Sequence, residues 1–312
     1  MRKAVIALGG NALGNNVEEQ QQAIEQVVPT LIDLVDLGYQ LIICHGNGPQ
    51  VGMINLTFTD YFANENLGNE MPFPECVAMS EGYIGYHIQN KLTNELLKRG
   101  KEVKASTIIT QVLVDETDIA FANPKKPIGK FYNKKEAAFI EKNTNYIMKE
   151  DSGRGYRRVI ASPLPIDIVE KQVIQNLYDQ GEIVIACGGG GIPVIQTDDG
   201  YKGVPAVIDK DFAAECLAEL VDADVLIILT AVPFAYVNYG KENQKALGNV
   251  SLADMKAYQK EGQFSEGSMG PKVEAVMKFV QSNHSKRGII TSFDYLKDGL
   301  KREAGTVLES SV

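Results

Sequence analysis

The chain is short of positive charge, histidine, cysteine and long apolar runs, and each shortage closes off a class of function. Its 312 residues carry 31 Lys plus Arg against 40 Asp plus Glu, a formal net charge of −9 at pH 7. Affinity for DNA, RNA or an anionic membrane comes from lysines and arginines that displace counterions. No nucleic acid and no membrane is therefore expected as a partner. No stretch approaches the roughly 18 consecutive apolar residues of a membrane helix. The run from Ala4 to Leu8 ends at Gly9-Gly10-Asn11, too short for the core of a secretory signal. His45, His87 and His284 are scattered, and Cys44, Cys76, Cys187 and Cys216 form no C-x-x-C pair. Neither a zinc site nor a disulfide framework is expected, and the cysteines read as reduced, buried thiols of a cytoplasmic protein.

Three familiar motifs are missing as well. No G-x-x-x-x-G-K-[ST] occurs, G-x-S-x-G is absent, and Gly46-x-Gly48 is followed by Gly52, one residue too late for G-x-G-x-x-G. A P-loop nucleotidase, a nicotinamide-dependent dehydrogenase and a nucleophile-elbow hydrolase all lose ground.

What is present is a large apolar fraction, 44% against 23% charged, arranged in alternating patterns. At roughly 150 residues per domain, the length allows two units or one large α/β domain with an insertion. Lys3 to Leu8 reads as a strand. Ile24, Val27, Val28, Leu31, Leu34 and Val35 fall at helical spacing over about Glu18 to Leu37, and Gly38 offers a stop before a strand from Gln40 to Cys44. The first 45 residues are thus one βαβ unit. Glu182 to Cys187, Asp224 to Leu229 and Gly288 to Thr291 are continuous apolar runs suited to strands buried on both faces. Ile166, Val169, Val173, Ile174 and Leu177 predict a helix, as do Val273, Val276, Met277 and Val280. This alternation predicts an α/β fold, a three-layer α/β/α sandwich with a largely parallel central sheet. Residues 115–162 break the rhythm with clustered Pro, Gly, Lys and Arg and read as a small protruding subdomain inserted in the 1–312 domain. It keeps Phe131, Tyr132, Phe139 and Ile140 to pack.

Three glycine-rich turns each follow an apolar run: Gly9-Gly10-Asn11, His45-Gly46-Asn47-Gly48-Pro49, and Gly188 to Gly191 with Gly189 and Gly190 at its centre. In open α/β sheets ligands bind beyond the carboxyl ends of strands, where glycine lets backbone N–H groups approach phosphate oxygens. One such loop alone is equally a tight turn; three at equivalent places point to an anion site.

Phosphoryl transfer also needs positive charge around the transferred group. Three lysines have unusual settings: Lys210 in Ile208-Asp209-Lys210-Asp211, Lys272 in Gly267-Ser268-Met269-Gly270-Pro271-Lys272, and Lys126 in a proline-bounded turn. Taken singly, each is also explained as a solvated surface lysine. Asp209 and Asp211 suit an N-cap and a first-turn carboxylate, or Asp211 orients Lys210 or a magnesium ion. His45 suits either a structural hydrogen bond or a catalytic role. The stripe Ile84, Ile88, Leu92 and Leu96 is either core or part of an interface.

Together, these segments resemble the carbamate kinases of the amino-acid kinase superfamily. The resemblance is carried by Ala7 to Ala12, His45 to Gly52, Asn123-Pro124 with Lys126 to Gly129, Glu150-Asp151 with Gly153 to Gly155, Cys187 to Pro193, Ala206 to Ala213, and Gly267 to Met269 with Pro271-Lys272. It spans nearly the whole chain. It implies reversible phosphoryl transfer between ATP and carbamate, running from ADP and carbamoyl phosphate in fermentation, with Mg2+ accompanying the nucleotide, no metal ligand from the protein, and a homodimer. Gly9, Gly10, Asn11, Gly46, Asn47 and Gly48 would hold the transferred phosphoryl and carbamoyl groups, together with Gly189 and Gly190. Lys210 and Lys272 would flank the nucleotide phosphates, with Asp211 positioning Lys210, and Lys126 would reach carbamoyl phosphate from a lid. Thr230, Tyr236 and Met269 would border the nucleotide. Two departures stand out: Lys130 occupies a position where the family commonly has proline, and Ala231 to Tyr236 is more apolar than usual beside the adenine.

Overall fold

A computed structural model describes residues 2–9, 16–65, 70–151, 153–283 and 285–310. The chain begins with the expected unit: β1 (Arg2–Leu8), α1 (Val17–Asp36) and β2 (Tyr39–His45). Asn16 caps α1 by accepting from the Glu19 N–H, and Gly38 takes φ +85°, a left-handed turn that glycine adopts without strain. Next come α2 (Gly48–Glu65), α3 (Phe73–Lys98), β3 (Ala105–Thr107), β4 (Gln111–Val114) and the short α4 (Ile119–Ala122). The Pro/Gly/Lys-rich region holds β5 (Lys126–Tyr132), α5 (Lys134–Asn143), β6 (Ile147–Glu150) and β7 (Tyr156–Ile160). The chain continues through β8 (Pro165–Ile168), α6 (Lys171–Asp179), β9 (Ile183–Ile185), β10 (Ile192–Thr197), β11 (Gly200–Gly203) and α7 (Lys210–Leu220). It closes with β12 (Val225–Leu229), β13 (Ala235–Val237), β14 (Lys245–Leu247), β15 (Asn249–Ser251), α8 (Leu252–Lys260), α9 (Met269–Ser282), β16 (Arg287–Thr291), α10 (Leu296–Leu300) and β17 (Thr306–Glu309).

Among the described residues the largest sheet has eight strands in the order β15-β17-β16-β12-β1-β2-β9-β3. Its pairs are parallel except β16 with β17. Alternate residues of each strand enter different cores, because side chains switch faces every residue. Ala4, Ile6 and Leu8 with Leu41 and Ile43 pack against α1 and α3, while Val5, Ala7, Ile42 and Cys44 pack against α7 and α9. Two apolar faces require two helical layers, which gives the three-layer α/β sandwich.

Of two helical patterns, one is resolved and the other is overturned. Ile84, Ile88, Leu92 and Leu96 are all in the core beside α1, so of the two readings of this stripe the structure takes core. The predicted helix starting at Ile166 is instead a strand followed by a helix: β8 pairs antiparallel with β4, Val112 opposite Ile168, and α6 begins only at Lys171. Ile166 and Val173 are exposed. A strand partner more than 50 residues away outweighed the local period.

Residues 126–160 form a separate three-stranded antiparallel sheet, β5-β7-β6. Ile128, Ala137, Met148, Val159 and Ile160 are buried there, whereas Phe139 stands exposed and Phe131 lies beneath the guanidinium groups of Arg154 and Arg157. This sheet meets α2 so closely that a Cβ on Gly52 would strike the Gly129 backbone.

Candidate active site

The parallel sheet aligns the carboxyl ends of β12, β1, β2 and β9, which are adjacent strands, and the glycine turns gather at that edge. Gly9 N–H donates to the Leu229 carbonyl at 3.1 Å, and Gly46 N–H to the Leu8 carbonyl at 3.2 Å. Any Cβ at Gly9 would stand 2.6 Å from that Leu229 oxygen. Gly10 and Asn11 lie outside the described residues. Asn47 is buried, its amide donating to Ser80 Oγ at 2.8 Å, and α2 starts at Gly48. Gly189 sits directly against the Asn47 side chain at φ +67°, leaving no room for a Cβ. Tight backbone packing therefore explains the glycines of this turn.

Against these turns stands the N-terminus of α7. Asp209 is its N-cap, Oδ1 accepting from the Asp211 N–H at 3.0 Å. Lys210 Nζ donates to Asp211 Oδ1 at 2.7 Å, and Lys272 Nζ, from the first turn of α9, donates to Asp211 Oδ2 at 2.9 Å. Asp211 is 1% exposed, so one buried carboxylate holds two lysines from two helices. Asp211 fits two of the roles open to it in sequence at once, being the first-turn carboxylate of α7 and the partner that orients Lys210. Burial alone would lower the Lys210 pKa, but Asp211 and Asp209 outweigh it and raise it above the ordinary value. For Lys272, burial and the neighbouring Lys210 win, and its pKa is lowered.

Lys126, the first residue of β5, reaches across to pair with Asp209 Oδ2. Although burial opposes it, this lysine together with Lys210 holds the Asp209 carboxyl well below the usual range. Lys130 points elsewhere, its Nζ 5.0 Å over the Tyr132 ring and its side chain lining a small cavity against α2 with Gly52 and Tyr146. Lys126, Lys210 and Lys272 with Asp209 and Asp211 make a cluster with one more positive than negative charge, inside a chain of net −9.

Beyond β12, Thr230 and Met269 line a cavity of about 550 Å³ with Tyr236, Tyr239 and Phe264. A second cavity of about 650 Å³ shares Thr230 and Ser268 with it and extends to Gly9 and Lys272. An aromatic-walled cavity leading to a lysine and a glycine turn can seat a flat base at one end and phosphates at the other. The sequence reading missed Ser80 and Glu81, polar residues in an otherwise apolar stretch of α3, and the pairing of Lys126 with Asp209. His45 faces the Gly46 carbonyl through Nδ1 at 3.0 Å.

Comparison with known proteins matches residues 2–292 to the pattern described as the amino acid kinase family. The chain is 53% identical over 309 residues to a carbamate kinase of Clostridium perfringens, covering 97% of this chain and 98% of that one. It is 48% identical over 307 residues to the carbamate kinase-like protein YqeA of Escherichia coli, covering 98% and 99%. The solved carbamate kinase from Giardia lamblia bound to AMP-PNP superposes with a TM-score of 0.89 at 39% identity, over 99% of this chain and 98% of that one.

Proposed function

The chain belongs to the amino acid kinase family and acts as a carbamate kinase, and from that premise we propose how its residues divide the work. The reaction is reversible phosphoryl transfer between ATP and carbamate. From the carbamoyl phosphate side, a β-phosphate oxygen of ADP forms the new P–O bond while the bond to the carbamoyl oxygen breaks, and carbamate leaves as an anion with the electron pair. Carbamate is also an anion when it attacks, so neither direction needs a general base. Catalysis reduces to aligning two anions and stabilising charge that spreads over the transferred group.

Lys210 and Lys272 supply that charge. The observation that carries the reading is the shared carboxylate of Asp211, which holds both ammonium groups at the edge where the glycine turns converge. The turns carrying Gly9, Gly10 and Asn11, Gly46, Asn47 and Gly48, and Gly189 and Gly190 receive the phosphoryl and carbamoyl groups; the N–H groups of Gly9, Gly46 and Gly190 donate to the Leu229, Leu8 and Cys187 carbonyls and hold these turns in shape. Thr230, Tyr236 and Met269 seat the nucleotide base, in keeping with their place around the aromatic cavity. Residues 115–162 act as the lid, and Lys126 exchanges Asp209 for carbamoyl phosphate when substrate arrives. Closure then shields a hydrolysable acyl phosphate from water.

Magnesium enters as part of the nucleotide substrate. Among the described residues no three His, Cys, Asp or Glu side chains are placed to hold a metal ion, and the Asp209 and Asp211 oxygens already engage lysines or a backbone N–H. That donor set suits an ion that keeps phosphate and water ligands. We also read the protein as a cytoplasmic homodimer. Four buried, unpaired cysteines support the reducing compartment, and no helix among the described residues is long and apolar enough to cross a membrane. The dimer rests on the resemblance to carbamate kinases and is checked by sedimentation. The activity itself is tested by following ATP formation from ADP and carbamoyl phosphate with purified protein. Robust turnover is expected, and no ATP, with another acyl phosphate used instead, would move the chain to a different substrate within the family.

A further inference from the structure

The two glycine turns that meet at the site rest on a pair of buried titratable side chains that phosphoryl transfer leaves unused. His45, the last residue of β2, is fully enclosed, and Glu81, in the middle of α3, is 1% exposed. Both crowd Gly188: a Cβ there would lie 2.7 Å from His45 Cε1 and 2.9 Å from Glu81 Cγ. His45 leads directly into Gly46-Asn47-Gly48. Glu81 serves the other turn, its Oε2 accepting from the Thr110 N–H at 3.1 Å and its carboxyl accepting from the Gly188 N–H.

The partners decide where the protons lie. His45 Nδ1 faces the Gly46 carbonyl oxygen, which can only accept, so Nδ1 carries the hydrogen. Burial pushes the His45 pKa down to about 4, leaving a neutral ring whose Nε2 is a bare acceptor. Burial likewise drives the Glu81 carboxyl well above the ordinary range, and the nearby Glu170 and Cys44 push the same way. A protonated Glu81 has a donor at Oε1. Neither Oε1 nor His45 Nε2 has a hydrogen-bond partner among the described residues, and buried donors and acceptors are costly to leave unpaired.

We propose that the Glu81 carboxyl donates a hydrogen bond to His45 Nε2 beside Gly188, directly or through one buried water, and so fixes the spacing between the Gly46–Gly48 and Gly188–Gly191 turns. The inference rests on the reading that these turns hold the phosphoryl and carbamoyl groups. Neither side chain touches substrate. They are positioning residues, and their effect on rate comes through the placement of backbone N–H groups, where small displacements weaken alignment. The bond is uncharged, so it holds the turns without adding negative charge beside an anionic substrate.

The test combines nitrogen NMR of the histidine side chains with steady-state kinetics on the full-length protein, His45 being assigned with a His45→Asn variant. At neutral pH, Nδ1 of His45 should be protonated and Nε2 should resonate as a hydrogen-bonded acceptor. Glu81→Gln keeps a neutral donor, so it should preserve that signal and hold kcat within about twofold, while Glu81→Ala should shift it and lower kcat about tenfold with KM for ADP little changed. A proton on Nε2 in the wild-type protein would overturn the proposal. So would equal losses in the Gln and Ala variants, or full kcat in both. The NMR arm needs no substrate, so it separates failure of the hydrogen bond from failure of the roles given to the turns.

Discussion

Lys272 and Lys126 bring positive charge to the same end of α7 from two different kinds of place. Lys272 stands in the first turn of α9, packed into the main body, its side chain 13% exposed and clamped to a carboxylate that also holds Lys210. Lys126 opens a strand of the small antiparallel sheet, is 33% exposed, and has Asp209 as its partner. The first arrangement is preorganised: core packing and a shared anion fix the cations before substrate arrives, so no reorganisation is needed as charge develops. The second is exchangeable, since a lysine one-third exposed at the rim of its ion pair can be traded to a substrate oxyanion. Under the roles proposed for these lysines, stabilising the transition state and capturing the substrate fall to different parts of the molecule.

That division can be broken at either side. The largest effect is expected from Lys272→Ala or Lys210→Ala. Each removes a fixed cation and should lower kcat about 10²–10³-fold with an unchanged circular dichroism spectrum. Near-normal turnover in either variant would remove the roles assigned to these lysines. Lys126→Ala should be milder and fall on binding, raising KM for carbamoyl phosphate about tenfold while sparing KM for ADP. Lys130→Ala, whose ammonium faces Tyr132, should leave both constants alone, and the opposite pattern would place the wrong lysine in the lid.

The two regions should also separate in pH dependence. Burial and Lys210 lower the Lys272 pKa, so its charge is lost as pH rises through a value below 10.5, and kcat/KM should fall on that alkaline side. Lys272→Arg keeps its charge and should move the alkaline limb upward even at reduced rate. The smallest measurable change is expected at Asp209. Asn caps a helix as well as Asp, so Asp209→Asn should leave α7 intact while freeing Lys126, lowering KM for carbamoyl phosphate about twofold.

Much of the preorganised region is legible in sequence, and for a physical reason. Strands such as Val225–Leu229 are apolar throughout because both faces are buried, and Gly189 and Gly9 are glycines because neighbouring atoms leave no space for a Cβ. The N-cap at Asp209 is likewise a local signal. Contacts between distant segments were not legible. Nothing local links Lys126 to Asp209, 83 residues away, and the period that suggested a helix from Ile166 gave way to pairing with β4. Ser80 and Glu81 were hidden for the opposite reason: they sit in a helix whose apolar stripe explains itself, and only the fold shows that they lie under the glycine turns.

The central claim is that fixed cations act on the transition state and the lid lysine acts on substrate capture. Its most direct test is one set of carbamoyl phosphate titrations at saturating ADP on wild type, Lys126→Ala, Lys272→Ala and the double variant. The division of labour predicts a KM effect for Lys126→Ala, a kcat effect for Lys272→Ala, and both together in the double variant. A fall in kcat with unchanged KM in Lys126→Ala, or a pure KM effect in Lys272→Ala, would contradict it.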